Sequence, residues 1–193
     1  MILSNNHVLA DENRGKVGDA IVQPGRHDGG GPPADVVGQL GRFVRLRRAG
    51  VNHVDCAVAA LGDGTKLNHT KLGDLGKLLG LAAELVEENV AVSKVGRATG
   101  TTQGRVTAFE LDNLVVRFDI GELRFDNQIE IEGAGDSPFS DGGDSGSLIV
   151  DPECRAVELL FAGGDQGGSN GRGLTYANPL HAALDALKVD LLH

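Results

Sequence analysis

Apolar residues along this chain come in short runs of β-branched and aliphatic side chains, bounded by glycine, asparagine or aspartate. That punctuation predicts strands joined by turns rather than long helices. In the N-terminal part the runs predict strands around Ile2–Leu3, Asp19–Gln23, Val36–Leu46 and His53–Leu61. From about Val90 onward they predict Gly104–Glu110, Leu114–Phe118, Gln128–Glu132, Ser147–Val150, Glu158–Ala162 and Gly173–Ala177. Leu72–Glu88 carries leucines at roughly helical spacing and predicts an amphipathic connector. Pro179 stands where a helix can begin, so Leu180–Leu187 predicts a short C-terminal helix. The pattern divides the chain into two units, residues 1–88 and 89–193, with Asp28-Gly29-Gly30-Gly31-Pro32-Pro33 as a surface loop in the first.

Composition narrows the class. With 193 residues the chain can bury a core, and with no tryptophan that core must rest on Val, Leu, Ile and Ala. A net charge of −9 argues against non-specific nucleic-acid binding, which needs a basic patch. The one basic cluster, Arg42, Arg45, Arg47 and Arg48, alternates with apolar residues and reads as the solvent face of a strand. Cys56 and Cys154 make no disulfide framework, and neither spacing suggests a metal site, so no cofactor is expected. The longest apolar candidate for a membrane segment, Leu78–Val86, is too short and contains Glu84. As written the chain is expected in the cytoplasm, an inference that an upstream leader would overturn. His27, His53, His69, His181 and His193 are scattered through loops and ends and read as surface residues.

The candidate chemistry sits in Phe139-Ser140-Asp141-Gly142-Gly143-Asp144-Ser145-Gly146-Ser147. A serine on a glycine-rich turn before a buried strand can be flanked by outward-pointing N–H groups, which a nucleophile needs where oxyanion charge develops. Tight turns favour the same residues for conformational reasons alone, so this segment by itself leaves both readings open. Ser4-Asn5-Asn6-His7 is a polar turn presenting His7, and Val51–Leu61 is an apolar strand interrupted by one carboxylate, Asp55. A carboxylate inside such a strand is costly unless paired, and a histidine N–H is a suitable partner. The order His7, Asp55, Ser145 is one of the known orders of the serine-nucleophile triad.

These three segments resemble the trypsin-like serine peptidases of the chymotrypsin fold. Val95-Gly96-Arg97-Ala98-Thr99-Gly100-Thr101-Thr102-Gln103-Gly104-Arg105-Val106 resembles the hairpin opening the second barrel of bacterial members, and Leu174–Leu180 the last strand entering the C-terminal helix. Within the family the chain is similar to a bacterial branch related to the plant Narrow-leaf type of peptidase. The resemblance implies a mainly β fold, a chymotrypsin-like double β-barrel with a short C-terminal helix. Two strands normally precede the one that delivers the histidine, and here only six residues precede His7. The N-terminal barrel is therefore expected to lack its first two strands. Either the sequence starts late or the barrel is open, and open edges recruit other chains, which implies a homo-oligomer or a wide cleft.

The resemblance assigns roles to residues. Ser145 is the nucleophile, His7 the general base and Asp55 its orienter, with the Gly143 and Ser145 N–H groups as oxyanion hole. Phe139, Ser140, Ala162, Gly163, Gly164 and the surroundings of Gly173 would line the first specificity pocket. None is charged, which implies a small or apolar preference unless Asp165 turns inward. In secreted trypsins a freshly cleaved N-terminal amine pairs with the carboxylate before the serine; the matching residue here is Asp144, which without an activation segment is expected to find another partner or face solvent. The substrate is expected to be a polypeptide, with an acyl ester as alternative. A non-catalytic self-associating module of the same fold is the remaining alternative.

Overall fold

The computed structural model of the protein describes residues 1–65, 71–83 and 87–192. The N-terminal strands are β1 (Ile2–Ser4), β2 (Ala20–Val22), β3 (Val36–Phe43), β4 (Val51–Asn52) and β5 (Ala57–Leu61). The later ones are β6 (Ala91–Gly96), β7 (Gly100–Leu111), β8 (Leu114–Phe118), β9 (Gly121–Phe125), β10 (Gln128–Gly133), β11 (Leu148–Val150), β12 (Ala156–Gly164) and β13 (Leu174–Pro179). Two α-helices, α1 (Asn6–Leu9) and α2 (Leu180–Leu187), complete the named α and β elements among the described residues.

Strands β6, β7, β10, β13, β12 and β11 close into a barrel, each paired antiparallel with its neighbours. Val92, Val106, Ile129, Ile131, Phe139, Ile149, Leu160 and Ala177 fill it. The N-terminal strands form an open antiparallel sheet in the order β1-β5-β3-β2, so among the described residues β1 and β2 are its edge strands. Its own core is small: Ala10, Leu40 and Ala57 are the buried residues. A larger cluster joins the two halves, with Val54, Cys56 and Val58 packed against Leu159, Leu180, Leu184 and Leu187. Each fully buried leucine of α2 contributes about 2 kcal/mol, so the helix fastens the N-terminal sheet to the barrel.

A third sheet, β4-β9-β8, is the feature least visible in the sequence. The hairpin β8–β9 leaves the barrel after β7, and β9 pairs in parallel with β4 of the N-terminal half. Leu46, Leu123, Phe125 and Phe161 bury its inner face.

Several local expectations are corrected. Residues 72–83 form no α-helix: a 3₁₀ turn covers Gly73–Leu75, and Leu81 bridges to Ala156. Gly73, Gly76 and Gly80 all take positive φ, which breaks helical continuity despite the leucine spacing. The rest of the expected connector, at 84–86, lies outside the described residues. Strand β3 stops at Phe43, so of the basic cluster only Arg42 belongs to a strand, its guanidinium donating to the Leu187 carbonyl at 2.5 Å. His181 is half-buried, its ring nitrogen 2.8 Å from the Ala82 carbonyl, rather than a plain surface residue. His69 and His193 lie outside the described residues. No described helix is long and apolar enough to cross a membrane.

Candidate active site

His7 lies on the single turn α1, directly after β1, and Asp55 lies two residues before β5 rather than inside it. β1 and β5 pair along Ile2↔Ala59 to Ser4↔Ala57, which brings the two segments together. His7 Nδ1 is 2.5 Å from Asp55 Oδ2. The other carboxylate oxygen, Oδ1, accepts the backbone N–H of Asn6 at 2.7 Å and of His7 at 3.2 Å. These are N–H groups that the start of a helical turn leaves without intrahelical acceptors. One fully buried carboxylate thus orients the imidazole and ties down the turn that carries it.

Buried amides hold Asp55 in turn. Its N–H donates to Asn178 Oδ1 at 2.9 Å, and its carbonyl accepts Asn5 Nδ2 at 2.9 Å. Asn178 Nδ2 donates to Gln128 Oε1 at 2.6 Å, linking the site to β10 and β13. Asn6 Nδ2 donates to Asn13 Oδ1 and to the Val44 carbonyl. None of these amides was singled out by the sequence reading. A signal existed: Gln128 and Asn178 sit within apolar strand runs, where a buried amide requires partners.

The β8–β9 hairpin closes over the same turn. The Phe118 ring meets the His7 imidazole edge-on, with centroids 5.7 Å apart and planes at 63°. Glu12 accepts the N–H of Asp119 at 3.0 Å and of Ile120 at 2.9 Å, clasping the hairpin tip to the His7 segment.

Ser145 lies on the loop before β11. Gly146 has φ +85°, and a side chain there would collide with Ser4 Oγ, so this backbone packs directly on the strand leading to His7. No hydrogen bond joins Ser145 to His7, and the backbone N–H groups of Gly143 and Ser145 have no acceptor among the described residues. Gly143 has φ +100° with the Arg97 guanidinium against its α-carbon. Arg97 donates to the Gly143 carbonyl at 3.4 Å and to Asp28 of the N-terminal loop at 2.7 Å.

Asp144 does not face solvent. Its side chain is fully buried 3.2 Å from the equally buried ammonium of Lys94. It also accepts from Ala98 N at 2.7 Å, Thr99 Oγ1 at 2.6 Å and Asp141 N at 3.2 Å. Burial pushes the carboxyl up, but the Thr99, Ala98, Asp141 and Lys94 donors outweigh it and hold the group below the usual carboxylate range. Asp144 thus finds its partner within the chain, on β6.

The residues expected around a specificity pocket gather at one end of β12 and β13. Ser140 Oγ lies 2.6 Å from Thr175 Oγ1 and beside Gly163, and Gly173 packs on the Gly164 carbonyl. Ala162 is half-buried in the same stretch, and Asp165 is exposed. Phe139 lies inside the barrel core with Lys94 5.7 Å from its ring centroid. Nearby Glu132 accepts from Asn170 N at 2.9 Å and Arg105 at 2.8 Å, anchoring the loop before β13. Its pKa falls to about 2, chiefly through hydrogen bonds from Ser169 and Asn170. No group of three or more His, Cys, Asp or Glu among the described residues is arranged to hold a metal ion.

The chain matches no protein-family model and no curated protein sequence. Among solved structures it is similar to a chymotrypsin of Cellulomonas bogoriensis, with a TM-score of 0.65 and 19% identity over 98% of this chain and 84% of that one. A glutamic acid-specific serine protease that uses a histidine triad in substrate binding gives 0.67 and 22%, over 98% and 85% of the two chains. The Nocardiopsis protease gives 0.64 and 16%, over 99% and 84%. The chain has the chymotrypsin-like fold that these bacterial serine proteases share.

Proposed function

We propose that this protein is a serine peptidase that cleaves peptide bonds through Ser145, His7 and Asp55 and an acyl-enzyme. The observation that carries the reading is the His7–Asp55 contact: with Nδ1 committed to a buried carboxylate, Nε2 is the ring nitrogen left to exchange protons. Ser145 Oγ adds to the acyl carbonyl while its proton passes to His7 Nε2. The unpartnered N–H groups of Gly143 and Ser145 receive the resulting oxyanion, each worth about 3 kcal/mol in the transition state. His7 returns the proton to the leaving amine, and water then repeats the cycle on the ester. Ser140, Thr175 and the exposed backbone of Gly163 and Gly164 carry no charge, which supports a small or apolar side chain before the scissile bond.

A fluorophosphonate probe should label the wild-type protein at Ser145. Ser145→Ala should lose labelling and about a million-fold in kcat. A folded wild-type sample that resists the probe would overturn the reading. Comparing peptide amides with matched p-nitrophenyl esters separates a peptidase from an esterase that uses the same groups. The edge strands β1 and β2 support self-association, which sedimentation velocity tests: a monomer at all concentrations removes it.

A further inference from the structure

Among the described residues, Glu158 is the charged side chain that is buried without a hydrogen-bond partner. It lies on β12 opposite Ile149 and Pro179, on the barrel-facing side shared with Leu160. The residue is 1% exposed, and neither carboxylate oxygen has a hydrogen-bond partner among the described residues. A carboxyl buried without a partner is costly, so its retention calls for a reason. Glu158 lines a pocket of about 590 Å³, which places an apolar wall of Phe109, Ile129 and Leu180 next to it. Glu110 and Asp185 add two further carboxylates to the lining, whose described residues include neither lysine nor arginine. The pocket is at the opposite end of β12 from Gly164, roughly 20 Å from the proposed specificity residues at about 3.3 Å per residue.

We propose that this pocket is a binding site for a small organic cation with an apolar body, an alkylammonium or arylalkylammonium ion whose ammonium group pairs with Glu158 once the buried carboxyl turns out into the pocket. The apolar wall accepts the hydrocarbon, and the acidic lining selects positive charge over negative. The free protein keeps Glu158 protonated, since burial alone pushes its pKa well above the ordinary value. The groups facing it across the pocket are Glu110 near the end of β7 and His181 and Asp185 on α2. Binding an ammonium ion ionises the carboxyl: the Glu158 O–H proton passes to the buffer, and the ligand keeps its own protons. Uptake of the cation is therefore coupled to release of a proton and strengthens as pH rises through the acidic range.

The test is calorimetric titration of the full chain with n-hexylammonium in two buffers of different ionisation enthalpy, at mildly acidic pH. Hexan-1-ol and hexanoate serve as neutral and anionic controls. The expected result is saturable binding of hexylammonium with about one proton released per ligand. Both controls should bind about ten- to a hundredfold more weakly. Methyl resonances of Ile129 and Leu180 should shift on titration while the His7 ring resonances stay in place. Glu158→Gln, a near-isostere of the protonated side chain, should abolish proton release and weaken hexylammonium by the same factor. Absence of binding, absence of proton release, equal binding of hexan-1-ol, or shifts confined to His7 would each overturn the proposal. None of these readouts depends on Ser145 being a nucleophile, so the two readings fail separately.

Discussion

Lys94→Met is the most informative single perturbation of the proposed catalytic loop. It removes a buried ammonium 3.2 Å from Asp144 Oδ2 while keeping most of the volume of the side chain. Both side chains are fully buried, so solvent screening does not soften the loss. Breaking one partner out of a buried pair costs about 3–5 kcal/mol. Asp144 retains its donors at Ala98, Thr99 and Asp141, which places the expected cost at the lower end, about 3 kcal/mol. For a chain of this size that corresponds to a fall in Tm of roughly 6–12 °C. Asp144 is also the residue between Gly143 and Ser145, so a carboxylate that shifts toward solvent turns their N–H groups with it. Labelling of Ser145 should slow about a hundredfold, the loss expected for a misplaced oxyanion donor. Urea denaturation of a double-mutant cycle with Asp144→Asn measures the coupling. In the Asp144→Asn background Lys94→Met should cost less than about 1 kcal/mol, giving a coupling near 2 kcal/mol. Equal costs in both backgrounds would refute the assignment of Lys94 as the partner that fixes this loop.

Phe118→Ala removes the edge contact on His7 and should destabilise by about 3–5 kcal/mol if the side chain behaves as a core residue. Since Phe118 is only half-buried, about 1–2 kcal/mol is the expected loss, read by thermal unfolding, together with a lower kcat at unchanged Ser145 accessibility. Glu158→Gln should change the pH dependence of stability. The native state holds the Glu158 proton while the unfolded chain releases it near 4.5, so wild-type stability declines as pH rises above that value. The variant should therefore gain Tm over wild type at neutral pH and lose that advantage below about pH 4, where both states of the wild type are protonated. A Tm difference that does not vary with pH would refute the neutral, buried carboxyl.

Legibility of the site in the sequence followed the range of each interaction. The glycine-rich turn around Ser145, the polar turn at His7 and the helix Leu180–Leu187 are set by residues within a few positions of one another, and their residue types suffice to mark them. Strands β8 and β10 were likewise visible from β-branched and alternating runs. Asp55 was recognised by its charge in an apolar run, although the strand begins only at Ala57. Strand β9, with Arg124 and Glu122 on one face, shows too little contrast from the turn preceding it to stand out. The connector at 72–83 misled because its leucine spacing is helical while its glycines are not.

Composition and local pattern alone mark a mainly β chain with a short C-terminal helix, a serine on a tight glycine turn, and a histidine and an aspartate in an order compatible with acyl transfer. What holds them depends on contacts between segments far apart in the chain. Lys94 shares a strand face with buried Val92, yet nothing local distinguishes it from a solvent-facing lysine until β6 is paired and Asp144 stands opposite. The same holds for Asn178 beneath Asp55 and Phe118 beside His7, partners separated by more than a hundred residues. The physical reason is that burial and pairing are properties of register between distant strands. Local composition fixes which segments can be strands and turns, while the energy of a buried charge or amide is set by the groups that folding brings against it.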